Sequence, residues 1–196
     1  MKLIRRIKEP YSKVKGFKIN SPLVSRALIV LIFLILLKII GVPIQLIMFL
    51  VGAIFFNAWL QTFQLSKGLP TDFELSTFAS VLVTATFGWK WGLFIAIASK
   101  LFACIYTGSL LVDHFFMMST YINAVLMTLL LGSGNILVTG FIIIIINCIL
   151  MFMISKNILG IDITANLAYT GTNFIFNSIM FLSISELMLG FLRIRF

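Results

Sequence analysis

Apolar residues along this chain come in long unbroken runs, and the polar residues collect in the gaps between them. The runs occupy positions 24–40, 44–65, 75–88, 91–112, 115–131, 136–154 and 166–192. A hydrocarbon core of about 30 Å takes about 20 helical residues, so six of the seven runs predict a crossing helix. The run 75–88 has 14 residues. It reaches about 21 Å at 1.5 Å per residue, so it crosses only if it starts nearer Thr71 and is otherwise half-inserted. Between the first two runs stands Gly41-Val42-Pro43, where the missing N–H of Pro43 suits the first turn of the next helix. The other breaks are a polar loop over 66–74 with Gly68 and Pro70, Gly132-Ser133-Gly134, and the stretch 155–165. The pattern predicts an all-α fold: a polytopic integral membrane helix bundle with six or seven transmembrane helices. Residues 1–22 read as a basic cytoplasmic tail and 23–196 as a single transmembrane helical domain.

Composition agrees with that reading. Of 196 residues, 61% are hydrophobic and 11% charged, where a soluble domain carries roughly 25% charge. The net charge of +9 suggests nucleic acid until its placement is read. Lys2, Arg5, Arg6, Lys8, Lys13, Lys15, Lys18 and Arg26 crowd the start of the chain. Basic charge beside a first span is the positive-inside signature, which puts the N-terminus in the cytoplasm, and the cell (plasma) membrane is the expected location. Leu3, Ile7, Tyr11, Val14 and Phe17 recur every three or four residues among those charges, the pattern of a tail lying along anionic headgroups. The run 24–40 has no small-residue cleavage site after it and is expected to stay as a span. With seven crossings, Arg193 and Arg195 fall outside. With 75–88 not crossing, they fall inside, and the positive-inside trend favours that six-crossing arrangement. Cys104 and Cys148 both sit in apolar runs and read as small buried hydrophobes.

Three faces stand out. Ser76, Ser80, Thr84 and Gly88 recur every four residues, and Gly92, Ala96, Ser99 and Ala103 every three or four on the next helix. Small residues at this spacing let membrane helices approach closely, either against each other or against a partner's helix. In the last run Asn166, Thr170, Asn173 and Asn177 share one stripe, with Asn147, Asn123 and Tyr121 in the two runs before it. Asn57, Gln61 and Gln64 form a similar stripe in the second run. Amides in hydrocarbon need partners, so Asn123, Asn147, Thr170, Asn173 and Asn177 are candidates to line a pocket for a small, partly polar ligand. The third feature is Lys100, in mid-run. A lipid-facing charge at that depth costs at least about 2.5–3.5 kcal/mol, so Lys100 should face other helices or a wet cavity. Its expected partners are Glu186, Asp113 or backbone carbonyls, and beside a pocket it would anchor an anionic group or set the helix position.

Absent motifs narrow the chemistry. There is no HExxH, no GxxxxGK[ST] and no Cys/His cluster, and the single histidine, His114, reads as an exposed residue at a span boundary. No metal, cofactor or enzymatic activity is expected. The aromatics Trp59, Trp89, Trp91, Tyr106 and Tyr169 suit interfacial belts.

The segment FASVLVTATFGWKWGLFIAIASKLFACIYTG resembles the second and third helices of substrate-binding (S) components of energy-coupling-factor vitamin transporters. Phe87-Gly88-Trp89-Lys90-Trp91-Gly92 corresponds to the Gly-containing turn of that family, and the likeness extends over about 75–192. It implies a six-helix binder of a vitamin or similar small molecule, working with a transmembrane coupling subunit and ATPases. The outline also resembles the rod-shape-determining (MreD-like) membrane proteins, whose link between the first two helices is similar to Gly41-Val42-Pro43. That likeness implies a non-enzymatic scaffold docking partner proteins through the 75–112 hairpin.

Overall fold

The computed structural model describes residues 41–68, 71–132 and 134–194. The chain is divided after Val42, and the second unit, Pro43–Phe196, is compact and holds nearly all of the described residues. The basic tail, its boundary with the membrane domain and the run 24–40 lie outside the described residues. In the second unit six helices follow one another: α1 (Ile44–Lys67), α2 (Ser76–Phe87), α3 (Trp89–Thr107), α4 (Val112–Leu131), α5 (Ile136–Asn157) and α6 (Ile163–Arg193). No strand occurs among the described residues. All but α2 are long and apolar enough to cross a membrane. With 12 residues, α2 reaches only about 18 Å.

The helix ends have local causes. Asn135 caps α5 by accepting from the Val138 N–H at 3.1 Å. Asp162 caps α6, accepting from the N–H groups of Thr164 and Ala165 at 2.9 and 3.4 Å. Those two bonds hold the Asp162 carboxyl below the usual carboxylate range. The expected run 91–112 divides differently from its sequence reading. α3 starts at Trp89 and stops at Thr107, and α4 takes Val112 and Asp113 into its first turn.

The arrangement is a ring with a filled centre. α1, α3, α4, α5 and α6 pack in that order and back to α1, while α2 packs against all five. A helix enclosed on every side cannot be amphipathic, and each residue from Ser76 to Thr84 is buried. The hydroxyls of Ser80 and Thr84 are satisfied by its own backbone: Ser80 Oγ donates to the Ser76 carbonyl and Thr84 Oγ1 to that of Ser80, each at 2.6 Å. α2 and α3 are joined by Gly88 alone, whose φ of +86° is open to glycine at little cost. They then lie so close that a Cβ on Gly92 would fall 3.1 Å from Thr84 Cβ and nearer still to its hydroxyl. On another face the Phe78 ring meets Phe181 of α6 edge-on, with centroids 4.9 Å apart.

Polarity runs opposite to that of a soluble protein. Phe55, Trp59, Ile105, Leu130, Ile149, Ile175 and Leu182 point outward, while Asn57, Ser99, Asn147, Asn166 and Asn177 are buried. An apolar girdle of this extent is suited to a lipid bilayer. The connections after α1, α3 and α5 gather at one end of the ring, where Gln61 of α1 donates to Thr107 Oγ1 and Ser109 Oγ at 3.1 and 3.0 Å. At the other end Gln45 of α1 donates to the Ile194 carbonyl at 2.8 Å.

The contact between α2 and α3 predicts that Gly92→Ala destabilises the protein by about 1–3 kcal/mol through overpacking. Removing the opposing hydroxyl with Thr84→Ala in the same chain should return part of that loss. Thermal unfolding of the four proteins of this cycle measures the coupling, and strictly additive effects would refute the contact.

Candidate functional site

The site follows from the length of α2. Lys100 lies seven residues before the end of α3, about 10 Å at 1.5 Å per residue. It contacts Glu74, just ahead of the start of α2. Beyond that level the ring has no central helix. The space is taken by the segment 71–75 and by a cavity of about 430 Å³.

Side chains from three helices hold the segment in place. Gln64 of α1 donates to the Phe73 carbonyl at 2.7 Å. Asn57 of α1 accepts from the Leu75 N–H at 3.0 Å, and its amide nitrogen donates to Ser76 Oγ at 3.2 Å. Ser76 Oγ is also 2.8 Å from Ser99 Oγ of α3. On the α6 side the Asp72 N–H donates to Thr172 Oγ1 at 3.0 Å, and Asn173 Nδ2 donates to Asp72 Oδ2 at 2.8 Å. Asn57 therefore supplies the acceptor that an uncapped first turn lacks, and the segment cannot move without breaking several buried bonds.

Three ionisable groups meet here. The Lys100 ammonium lies 2.5 Å from Glu74 Oε1, and the two side chains are 5% and 3% exposed. Glu74 Oε2 has no hydrogen-bonding donor among the described residues, so the pair leaves acceptor capacity unused. Asp72 is a second buried carboxyl beside the pair. Burial first, and then the Glu74 carboxylate, push it up to about 7, against the opposing pull of Lys100 and the Asn173 amide. Asp113 and His114 stand across the cavity on α4. His114 Nδ1 accepts from the Leu111 N–H at 3.0 Å, which places the ring proton on Nε2 and makes the imidazole neutral. Its 3.8 Å approach to Asp113 Oδ1 is therefore no ion pair.

The cavity wall is mixed. Gln61, Asp72, Lys100, Ser109, His114 and Thr120 supply polar groups, and Leu65, Phe116, Met151, Ile154 and Tyr169 apolar ones. Gln61 is buried, yet Gln61 Oε1 has no partner among the described residues. Among those residues no group of three or more His, Cys, Asp or Glu side chains is placed to hold a metal ion.

The sequence-derived candidates are distributed unevenly around this site. Of the pocket candidates, Lys100 lines the cavity, whereas Asn123, Asn147, Thr170, Asn173 and Asn177 do not. Asn123 Nδ2 donates to Asn147 Oδ1 at 2.9 Å, pairing α4 with α5. Thr170 Oγ1 donates to the Asn166 carbonyl, and Asn166 Nδ2 to that of Phe152. Asn177 Nδ2 donates to Asn173 O and Oδ1 at 3.1 and 3.2 Å, so Asn173 and Asn177 support Asp72 from behind. In place of one amide-lined interior there are separate pairs, because the Asn123, Asn166, Asn173 and Asn177 amides each find an acceptor on a neighbouring turn, helix or loop, while Asn147 Nδ2 has none among the described residues. Ser76, Ser80, Thr84, Gly92, Ala96 and Ala103 are buried within the bundle, and Gly88 is half-buried at the turn.

Two expectations are corrected. The partner of Lys100 is Glu74, not Glu186, which is exposed near the end of α6. His114 is buried and lines the cavity instead of facing solvent. Asp72 and Glu74 were hidden in what reads as an ordinary polar loop. The signal for them is the shortness of the run that follows, which draws the loop inward. Cys104 and Cys148 are free buried thiols. No protein-family model matches the chain, and no curated protein or solved structure matches it.

The ion pair sets an energetic expectation. Lys100→Met leaves Glu74 buried without its counter-charge and should cost about 3–5 kcal/mol. Lys100→Met combined with Glu74→Gln should recover most of that loss. Thermal unfolding of both variants in detergent measures this, and a double variant no more stable than Lys100→Met would show that the pairing is not what Lys100 requires.

Proposed function

We propose that this protein is a membrane-embedded substrate-binding subunit for a small, vitamin-like molecule, working with partner subunits of a transport system. The observation that carries the reading is the cavity of about 430 Å³ at one end of the ring, with buried Asp72 and Lys100 in its wall. Small-molecule sites typically enclose about 300–1,000 Å³, are largely apolar and carry a few fixed polar groups. The lining here has that make-up. A half-length helix ending beside such a space is also the arrangement in which membrane transport proteins place their binding sites. On this reading Lys100 and Glu74 form the rigid floor that fixes the position of Asp72. A coupling subunit and ATPases would be the partners, and the plasma membrane with a cytoplasmic N-terminus the setting.

A scaffold docking other proteins through the 75–112 hairpin would present the small residues of α2 and α3 outward. Their burial supports the binder over the scaffold.

Filling the cavity tests the proposal. Native mass spectrometry of gently purified wild-type protein should show a bound small molecule. Ser109→Trp, in the cavity wall, should lose that molecule while unfolding at a temperature close to the wild type. A ligand retained in full by the filled variant, or a wild-type chain that carries none, overturns the reading.

A further inference from the structure

The balance of acceptors, donors and charges around the cavity narrows the ligand class. Lys100, the cationic side chain of the lining, is already in contact with Glu74, so it is not free to receive an anionic group. Acid groups outnumber it. Asp72 and Glu74 are two buried carboxyls beside one ammonium, and the partly exposed Asp113 adds a further carboxyl on the cavity wall. His114 is neutral in its bonding arrangement with Leu111 and offsets none of them.

Unused hydrogen-bonding capacity points the same way. Gln61 lines the cavity and is 7% exposed. Its amide nitrogen is engaged by Thr107 and Ser109, while Oε1 is without a donor among the described residues. A buried acceptor left unpaired is costly, and Gln61 Oε1 calls for a donor. The rest of the wall, from Leu65 and Phe116 to Met151 and Ile154, is apolar.

Resting on the reading of this cavity as a small-molecule site, we infer that its ligand is a protonated organic amine with an apolar body. The ammonium lies against Asp72 and Gln61 Oε1, and the hydrocarbon or aromatic part lies along the α4 and α5 walls. A charged donor to a carboxylate in such surroundings is among the stronger hydrogen bonds.

The test uses full-length protein in phosphatidylcholine nanodiscs and three probe pairs matched in size but opposite in charge. These are tryptamine and indole-3-propionate, phenethylamine and 3-phenylpropionate, and hexylamine and heptanoate. Saturable binding, read by calorimetry or by a dose-dependent rise in Tm, is expected for amines and not for their carboxylate counterparts. Asp72→Asn keeps the size of the side chain and an acceptor for Asn173, and it should weaken amine binding by about ten- to a hundredfold. Repeating the titration with phosphatidylethanolamine in the nanodisc separates two sources of the ammonium. Unchanged amine affinity indicates a free amine and competition indicates a lipid headgroup, and both uphold the cationic ligand. If carboxylates bind and amines do not, and Ser109→Trp abolishes that binding, the charge assignment falls while the binding cavity stands. If no probe of either sign binds saturably, this inference falls, while the co-purification experiment still decides the cavity itself. Amine binding equally strong in Asp72→Asn would also overturn the assignment.

Discussion

A lysine placed well inside a helix bundle has to be neutralised within its own reach, and the geometry of that solution organises this protein. The partner arrives from outside the helices. Glu74 belongs to the stretch before α2, so bringing it to Lys100 draws residues 71–75 down into the ring. Once there, the segment needs partners for its own peptide groups, and α1 and α6 supply them through Asn57, Gln64 and Thr172. One charge contact is thus tied to a set of neutral hydrogen bonds on both sides. Its net contribution to stability is small, since desolvating two charges costs much of what their attraction returns. What it contributes is position: Asp72 is held at a fixed place on a cavity wall instead of swinging in a loop.

The second constraint is spatial. Five helices in a ring enclose room for one more, and α2 fills only part of its height. Where it is present the packing is dense, with Gly92 against Thr84 and Phe78 against Phe181. Where it is absent the walls carry side chains that do not close over the gap. A helix of part height therefore leaves dense packing alongside it and a cavity beyond its end. The polar residues divide accordingly. Alongside α2 several bond in pairs or back to their own helix, and on the cavity wall Gln61 Oε1 is left over.

Much of the helical order is legible in the runs of apolar residues, because in a bilayer length and apolarity decide the element almost alone. The observed helices start and stop within a few residues of those runs. The stripe Asn57, Gln61 and Gln64 is also visible in the sequence, and all three hold the connection or line the cavity. The failures are of one kind. Spacing shows which amides share a face but not which acceptor lies opposite, so Asn123 and Asn147 satisfy each other instead of lining a pocket. Spacing along one helix is equally silent about a partner on a loop, and so Glu186 is the nearer guess and Glu74 the actual contact. Asp72, Glu74 and His114 share a residue type with solvated loop positions, and only the three-dimensional path of the chain distinguishes them.

The order of elements along the polypeptide adds a consequence for assembly. The enclosed helix is second among those described, and the three that complete the wall around it come later in the chain. During synthesis, which proceeds from the N-terminus, the plug and its hairpin mate α3 are made before the enclosure exists. Until α4, α5 and α6 arrive, Ser76–Phe87 has only α1 and α3 for shelter. The interior is laid down first, and the later helices must fold around it. Biogenesis of this bundle is a wrapping process, in which the final closure, α6 against α1, is also the step that brings Asn173 to Asp72.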